Sequence, residues 1–173
     1  MNSIFIANLG KYNEGEMIGD WFELGQDEEY LQGFLEDVVG INEEYEEWFI
    51  ADTDLSDFDM NIHEYEDIFS LNQMFIRYEQ LDSFEKELVQ AIVEVSSYST
   101  SLEDAIDNMD NYTLFSDIET EFDIGYAMVN EWGIYDTSAL GALANYIDYQ
   151  SLGRDTILEG NGTLTSKGFL MEY

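Results

Sequence analysis

Hydrophobic residues recur along this chain with two different periods, and the switches between them mark out its elements. Ser3 to Ala7 alternates, and Ile18 to Leu24 is aromatic and apolar between Gly15 and Gly25; both predict strands. Asp27 is a helix-capping residue, after which Leu31, Phe34, Leu35 and Val38 recur at helical spacing. Gly40 stands where such a helix ends. Glu46 to Asp52, carrying Trp48, Phe49 and Ile50, predicts a third strand. The middle of the chain reads as helical. Leu71, Met74, Phe75 and Tyr78 make one short stripe. Asp82 with Glu85 resembles a capping box ahead of Phe84, Leu88, Ala91, Ile92 and Val95, the clearest helical period in the sequence. Ser101 is placed to cap a third helix bearing Leu102, Ala105, Ile106 and Met109. The last third mixes both periods: a strand at Tyr112 to Phe115, then a Thr120-capped helix with Phe122, Tyr126, Val129 and Trp132, stopped by Gly133. A further helix is expected from about Ser138 to Leu152, and a closing hairpin in which Thr156 to Glu159 and Thr163 to Tyr173 flank Asn161-Gly162.

This order predicts an α+β fold built as a series of three small subdomains. Residues 1–61 hold a sheet and a helix, residues 62–111 are helical, and residues 112–173 are mixed again. Proline is absent, as are Gly/Ser-rich linkers, internal repeats and low-complexity runs, so the connections are expected to be short and ordered.

Charge changes this picture more than any other feature. The chain of 173 residues has 39 Asp plus Glu against 5 Lys plus Arg, a net charge of -34. Disorder would require few hydrophobic and aromatic residues, yet 45% are hydrophobic and 15% aromatic. The charge must therefore sit outside a folded core, where self-repulsion favours an elongated arrangement. Such a surface repels nucleic acid and anionic membranes and attracts basic grooves. Duplex DNA carries one charge per ~1.7 Å, so 34 net charges equal roughly 58 Å of duplex, or about 17 base pairs. With no cysteine there is no disulfide or thiolate chemistry. Met1 to Lys11 lacks a signal-peptide pattern, and no apolar run approaches membrane-spanning length. A cytoplasmic protein without a membrane partner is expected.

The acids are grouped. Glu43, Glu44, Glu46 and Glu47 are followed by Asp52, Asp54, Asp57 and Asp59, then by Glu64, Glu66 and Asp67. Glu103, Asp104, Asp107 and Asp110 form a later group, and Asp117, Glu119, Glu121 and Asp123 the last. Any one group is accounted for by a solvated surface. Their recurrence with almost no interleaved Lys or Arg is not, since ordinary surfaces mix both signs; these residues are the candidate binding surface. Asp52-x-Asp54 fails as a calcium loop, because Asp57 and His63 stand where Gly and Glu are needed. His63 is the only histidine, no Gly-x-Ser-x-Gly elbow is present, and Gly10 to Gly19 matches no phosphate loop. No catalytic residue, metal or cofactor is expected. The stretch Ala139 to Asp155 is the longest low in acid. On a helix, Leu140, Leu143, Ala144 and Ile147 would form one face and Ala142, Tyr146 and Tyr149 a second, a sector wider than one core needs. Two readings remain open: a fully buried helix, or one face on the core and one on a second copy.

Four blocks carry a resemblance to a known family. They are Ile6-Ala-Asn-Leu-Gly-Lys-Tyr-Asn-Glu-Gly-Glu-Met-Ile-Gly-Asp-Trp-Phe22, Gly40-Ile-Asn-Glu-Glu-Tyr-Glu-Glu47, the weaker Ser70-Leu-Asn72, and Asn145-Tyr-Ile-Asp-Tyr-Gln-Ser-Leu-Gly-Arg-Asp155. Together with size and acidity they resemble the ArdA antirestriction proteins, and the last block looks like that family's antirestriction motif. An acidic–Val–Pro stretch common before that block is replaced here by Ala139 to Ala144. The resemblance implies a curved chain of three small domains that dimerises through its C-terminal region. It also implies acids arrayed like the phosphates of bent B-form DNA, with type I restriction–modification enzymes, at their methyltransferase core and specificity subunit, as the target. Leu140, Leu143, Tyr146, Ile147 and Tyr149 are then the candidate dimer contact. Two other classes stay in view: an acidic module for basic proteins at large, which would bind many of them equally, and a salt-adapted enzyme, which would unfold at low salt.

Overall fold

The computed structural model describes residues 1–96 and 102–173. Its fold is α+β and falls into two compact units, Met1–Asp82 and Ser83–Tyr173. Their boundary lies inside the 62–111 segment that the sequence groups as one helical subdomain.

The first unit is a three-stranded antiparallel sheet with helices. Its strands are β1 (Asn2–Asn8), β2 (Gly19–Glu23) and β3 (Trp48–Leu55), in the order β2-β1-β3. The central β1 is buried along nearly its whole length, its apolar stretch Ile4–Ala7 flanked by the buried polar residues Asn2, Ser3 and Asn8. Ile4, Ile6, Phe22 and Ile50 pack one face against Leu31, Leu35 and Val39. A short helix α1 (Leu9–Asn13) leaves β1, capped by the Asn8 side chain. Helix α2 (Glu28–Phe34) begins at Asp27, as expected, and continues into a π-helical turn (Leu35–Val39) closed by Gly40 at φ 77°. A bulge offsets β3 against β1 between Phe5 and Ile6, so that Phe5 faces Asp52 and Ile6 faces Ile50. On each edge strand an aspartate covers the amide that follows it: Trp21 N–H donates to Asp20 Oδ1 and Thr53 N–H to Asp52 Oδ1, both at 2.8 Å.

Helix α3 (Ile68–Glu79) completes this unit, burying Ile68, Leu71, Phe75 and Tyr78 with Phe58. Asn72 is fully buried on its inner side. Its Oδ1 accepts from Gly25 N–H at 2.8 Å and Gln26 N–H at 3.2 Å, and its Nδ2 donates to the Gln26 carbonyl at 2.7 Å. Both of its polar atoms, which burial would otherwise strand, are bonded to the turn between β2 and α2.

In the second unit, helices α4 (Ser83–Val95) and α5 (Leu102–Asn108) precede β4 (Tyr112–Phe115). The expected cap Ser101 lies outside the described residues. Thr120 and Asp123 form a reciprocal capping box on α6 (Glu121–Asn130). Gly133 sits at φ 65° after the helix, as its stop.

Two expectations are corrected beyond this point. The helix from Ser138 to Leu152 does not form. Residues Ser138–Tyr146 are a 3₁₀ stretch kinked at Gly141 (φ 55°, ψ -127°), and a separate helix α7 spans Tyr149–Leu158. The 3₁₀ stretch buries no residue, and a helix that buries no face lacks its main source of stability. Asp148 then restarts the chain, its Oδ1 accepting from Ser151 N–H at 3.0 Å. The expected hairpin about Asn161-Gly162 is also replaced. Thr156 to Leu158 belong to α7, and the hairpin joins β5 (Thr163–Thr165) to β6 (Gly168–Glu172) through Ser166-Lys167. The carboxylate of Glu94 on α4 fixes that turn, accepting from Ser166 N–H at 2.9 and 3.0 Å and from its hydroxyl at 2.7 Å. The second sheet has the order β4-β6-β5, all antiparallel.

Helices α6 and α7 meet with no side chain between them at two points. A Cβ on Gly125 would fall on the Tyr149 carbonyl, and one on Gly153 on the Glu121 carbonyl. Ile118, Ile124, Ala127, Met128 and Phe169 form the core beneath, with Phe115 and Trp132 against it.

Candidate functional site

The first acidic group is a built loop. Gly40 turns the chain out of the π-helical turn, and Asn42 Oδ1 then accepts from Glu44 N–H at 2.8 Å and Tyr45 N–H at 3.2 Å. Tyr45 folds back over Gly10, where a Cβ would collide with its ring. Its hydroxyl donates to Glu14 at 3.0 Å, and Lys11 Nζ lies 4.3 Å from the ring centroid and 2.9 Å from Glu14 Oε2. The Tyr45 hydroxyl and the Glu14 carboxylate hold the Lys11 ammonium above its ordinary range, while Lys11, then Tyr45, hold Glu14 below its own. Leu9 N–H donates to the Glu47 carbonyl at 3.0 Å. Asn8 Nδ2 donates to the Val39 carbonyl at 3.1 Å. The first two motif blocks thus form one structure, which presents Glu43, Glu44, Glu46 and Glu47 in exposed positions around the pinned Tyr45.

The remaining groups take several roles. Asp52, Asp54, Asp59 and Glu64 are exposed, and Glu66 is half-buried. Asp57 is half-buried and accepts from Asn2 Nδ2 at 2.9 Å. Asp67 caps α3, and the Ser70 hydroxyl, with the Phe69 and Ser70 amides, draws its carboxyl below the usual range. Glu103, Asp104 and Asp107 line the exposed side of α5 opposite Leu102, Ala105 and Ile106, with Asp110 exposed just beyond. Asp117 and Glu119 are exposed, and half-buried Glu121 accepts from Gln150 on α7. Asp123 belongs to the capping box; Thr120, first through its hydroxyl, lowers its carboxyl. None of the nineteen candidate acids is buried. Asp57, Asp67, Glu121 and Asp123 have structural partners of their own, which acid counting could not reveal.

The candidate dimer residues separate. Leu140, Leu143 and Tyr146 are exposed on the 3₁₀ stretch, Tyr146 to 84%. Ile147 is half-buried. Tyr149 packs inside its own chain, its ring 5.5 Å from those of both Phe122 and Tyr126 on α6. Arg154 stays local, 3.6 Å from Asp155.

Sequence reading missed one arrangement. Pairing of Phe5 with both Trp21 and Asp52 puts two aromatic rings and a carboxylate in one row on the outer face of the first sheet. The alternation of Ser3 to Ala7 was the available signal, since it sends Phe5 to the face opposite Ile4 and Ile6. Among the described residues, no three His, Cys, Asp or Glu side chains converge as a metal site, and no helix is long and apolar enough to cross a membrane.

No curated protein matches this sequence. A family model described as antirestriction protein (ArdA) matches residues 4–171, almost the whole chain with all four motif blocks, and the protein therefore belongs to the ArdA antirestriction family.

Proposed function

We propose that this antirestriction protein is an acidic mimic of B-form DNA. It occupies the DNA-binding groove of type I restriction–modification enzymes, at the methyltransferase core and specificity subunit, and so blocks restriction and modification of incoming DNA in the cytoplasm. The observation that carries this reading is a net charge of -34 on a chain with a packed core, with all nineteen grouped acids at least partly open to solvent. A polyanion entering a basic groove releases ions from both surfaces, and its field speeds encounter. No single pair has to dominate, so one protein can serve against enzymes that read different sequences. A homodimer through Leu140, Leu143 and Tyr146 is part of this proposal and would double the charged length.

The test is DNA cleavage by a purified type I enzyme, titrated with the protein at two salt concentrations. Inhibition is expected at near-stoichiometric ratios and is expected to weaken as salt rises. No inhibition at any ratio, or inhibition indifferent to salt, overturns the mimic. A general acidic module would instead bind unrelated basic proteins with similar affinity.

A further inference from the structure

The outer face of the first sheet is composed differently from the rest of the acidic surface. Register fixes its rows. Ser3 on the central strand faces Glu23 on one side and Asp54 on the other; in the next row Phe5 faces Trp21 and Asp52. Phe5 and Trp21 meet in a T-shaped contact with ring centroids 5.6 Å apart, which holds the indole in a fixed attitude while 43% of Trp21 remains exposed. Asp52 is also held: its Oδ1 accepts from Thr53 N–H at 2.8 Å, which leaves the second oxygen for a partner. One row thus offers aromatic surface ending in a carboxylate, with two more carboxylates in the row beside it.

That combination selects the occupant. An apolar partner would strip water from Asp52, Asp54 and Glu23 without replacing it. A phosphate-bearing partner is repelled. A cation with a long apolar stem satisfies both halves of the surface. Of the two candidates, arginine fits better, because its guanidinium is planar, weakly hydrated, stacks on rings and pairs side-on with a carboxylate. The two outer strands lie about 10 Å apart across β1, a gap that an arginine spans with its stem on the rings and its head at Asp52.

We propose that this face is a docking surface for an arginine side chain of a basic protein partner, laid across Trp21 and Phe5 and paired with Asp52. That the partner is a restriction enzyme rests on the mimic reading; the chemistry of the face does not. The test uses the intact protein and two probes, hexa-arginine and hexa-lysine peptides, titrated at the same salt while the Trp21 indole N–H is followed by NMR. A Trp21→Phe variant assigns that resonance. At this site the arginine peptide is expected to bind roughly two- to fivefold more tightly than the lysine peptide. Asp52→Asn, at an exposed position, is expected to weaken the arginine peptide about two- to fivefold. Equal site affinities, an unmoved resonance, or indifference to Asp52→Asn overturns the proposal while leaving the mimic reading untouched. A failed cleavage assay with arginine selectivity intact overturns the mimic reading and leaves this face standing.

Discussion

Gly153 lies in the motif block nearest the C-terminus, where it stands against backbone. A methyl group there would meet the Glu121 carbonyl, and carbonyls in a helix cannot swing aside as a flexible side chain can. Gly153→Ala must therefore push α6 and α7 apart. We expect it to destabilise the protein by about 1–3 kcal/mol, as overpacking does, read as a lower urea midpoint. A midpoint within experimental error of the wild type would show that the two helices yield more easily than their approach suggests. The motif's glycine thus serves the close approach of two helices. Asn72, Asn8 and Tyr45 act in the same way. Each lies in a recognised block and each spends its polar atoms or ring on holding chain segments together. Sequence could place these residues in blocks but could not assign their partners, because each bond joins segments at least thirty positions apart.

Elements were legible where local signals and burial agreed. Asp27 and Thr120 start helices, Gly40 and Gly133 follow helix ends, and β1 to β4 lie where alternation and aromatic content placed them. The failures came where a local signal competed with a distant contact. Asn161-Gly162 is a strong turn pair, but Gly153 packs α7 on α6 and buried Thr156 lies on the same helix, which runs to Leu158 through the residues expected as the hairpin's first strand. Ala139 to Ala144 has good helix formers and Gly141 among them, yet none of its residues is buried against the described part of the chain. That leaves three apolar side chains uncovered where the proposed second copy would sit. Tyr146→Glu is expected to weaken the dimer, since each copy would bring a buried carboxylate to the contact. Size-exclusion at low concentration checks this: a later elution volume supports the assignment, and an unshifted one removes Tyr146 from the interface. Tyr149, engaged with Phe122 and Tyr126, is a poorer candidate than the sequence made it.

At the scale of the whole molecule, charge and core oppose each other. Thirty-four uncompensated charges repel one another in the folded state more than in the expanded chain. Salt shortens the reach of that repulsion, from about 30 Å at 0.01 M to about 8 Å at 0.15 M. The melting temperature is therefore expected to rise with sodium chloride over this range, measured by circular dichroism. A flat or falling curve would mean that the charges lie far enough apart for their repulsion to cost the fold little. The same salt is expected to weaken inhibition. Stability and activity would then move in opposite directions along one axis, as expected when the charge that serves binding burdens the fold.

Two of those charges have a consequence for how the protein keeps to itself. An edge strand with unpaired amides is a template for another strand, and strands that add there lead to aggregates; on β3 the Glu64 carbonyl already takes the Ile50 amide at 2.8 Å. On β2 and β3, Asp20 and Asp52 each occupy a neighbouring amide that such a strand would use, and each adds a negative charge at that place. A second molecule approaching edge to edge meets amides already bonded and a charge like its own. These carboxylates, Asp52 of the proposed binding surface among them, are thus placed to discourage strand addition between copies along these edges.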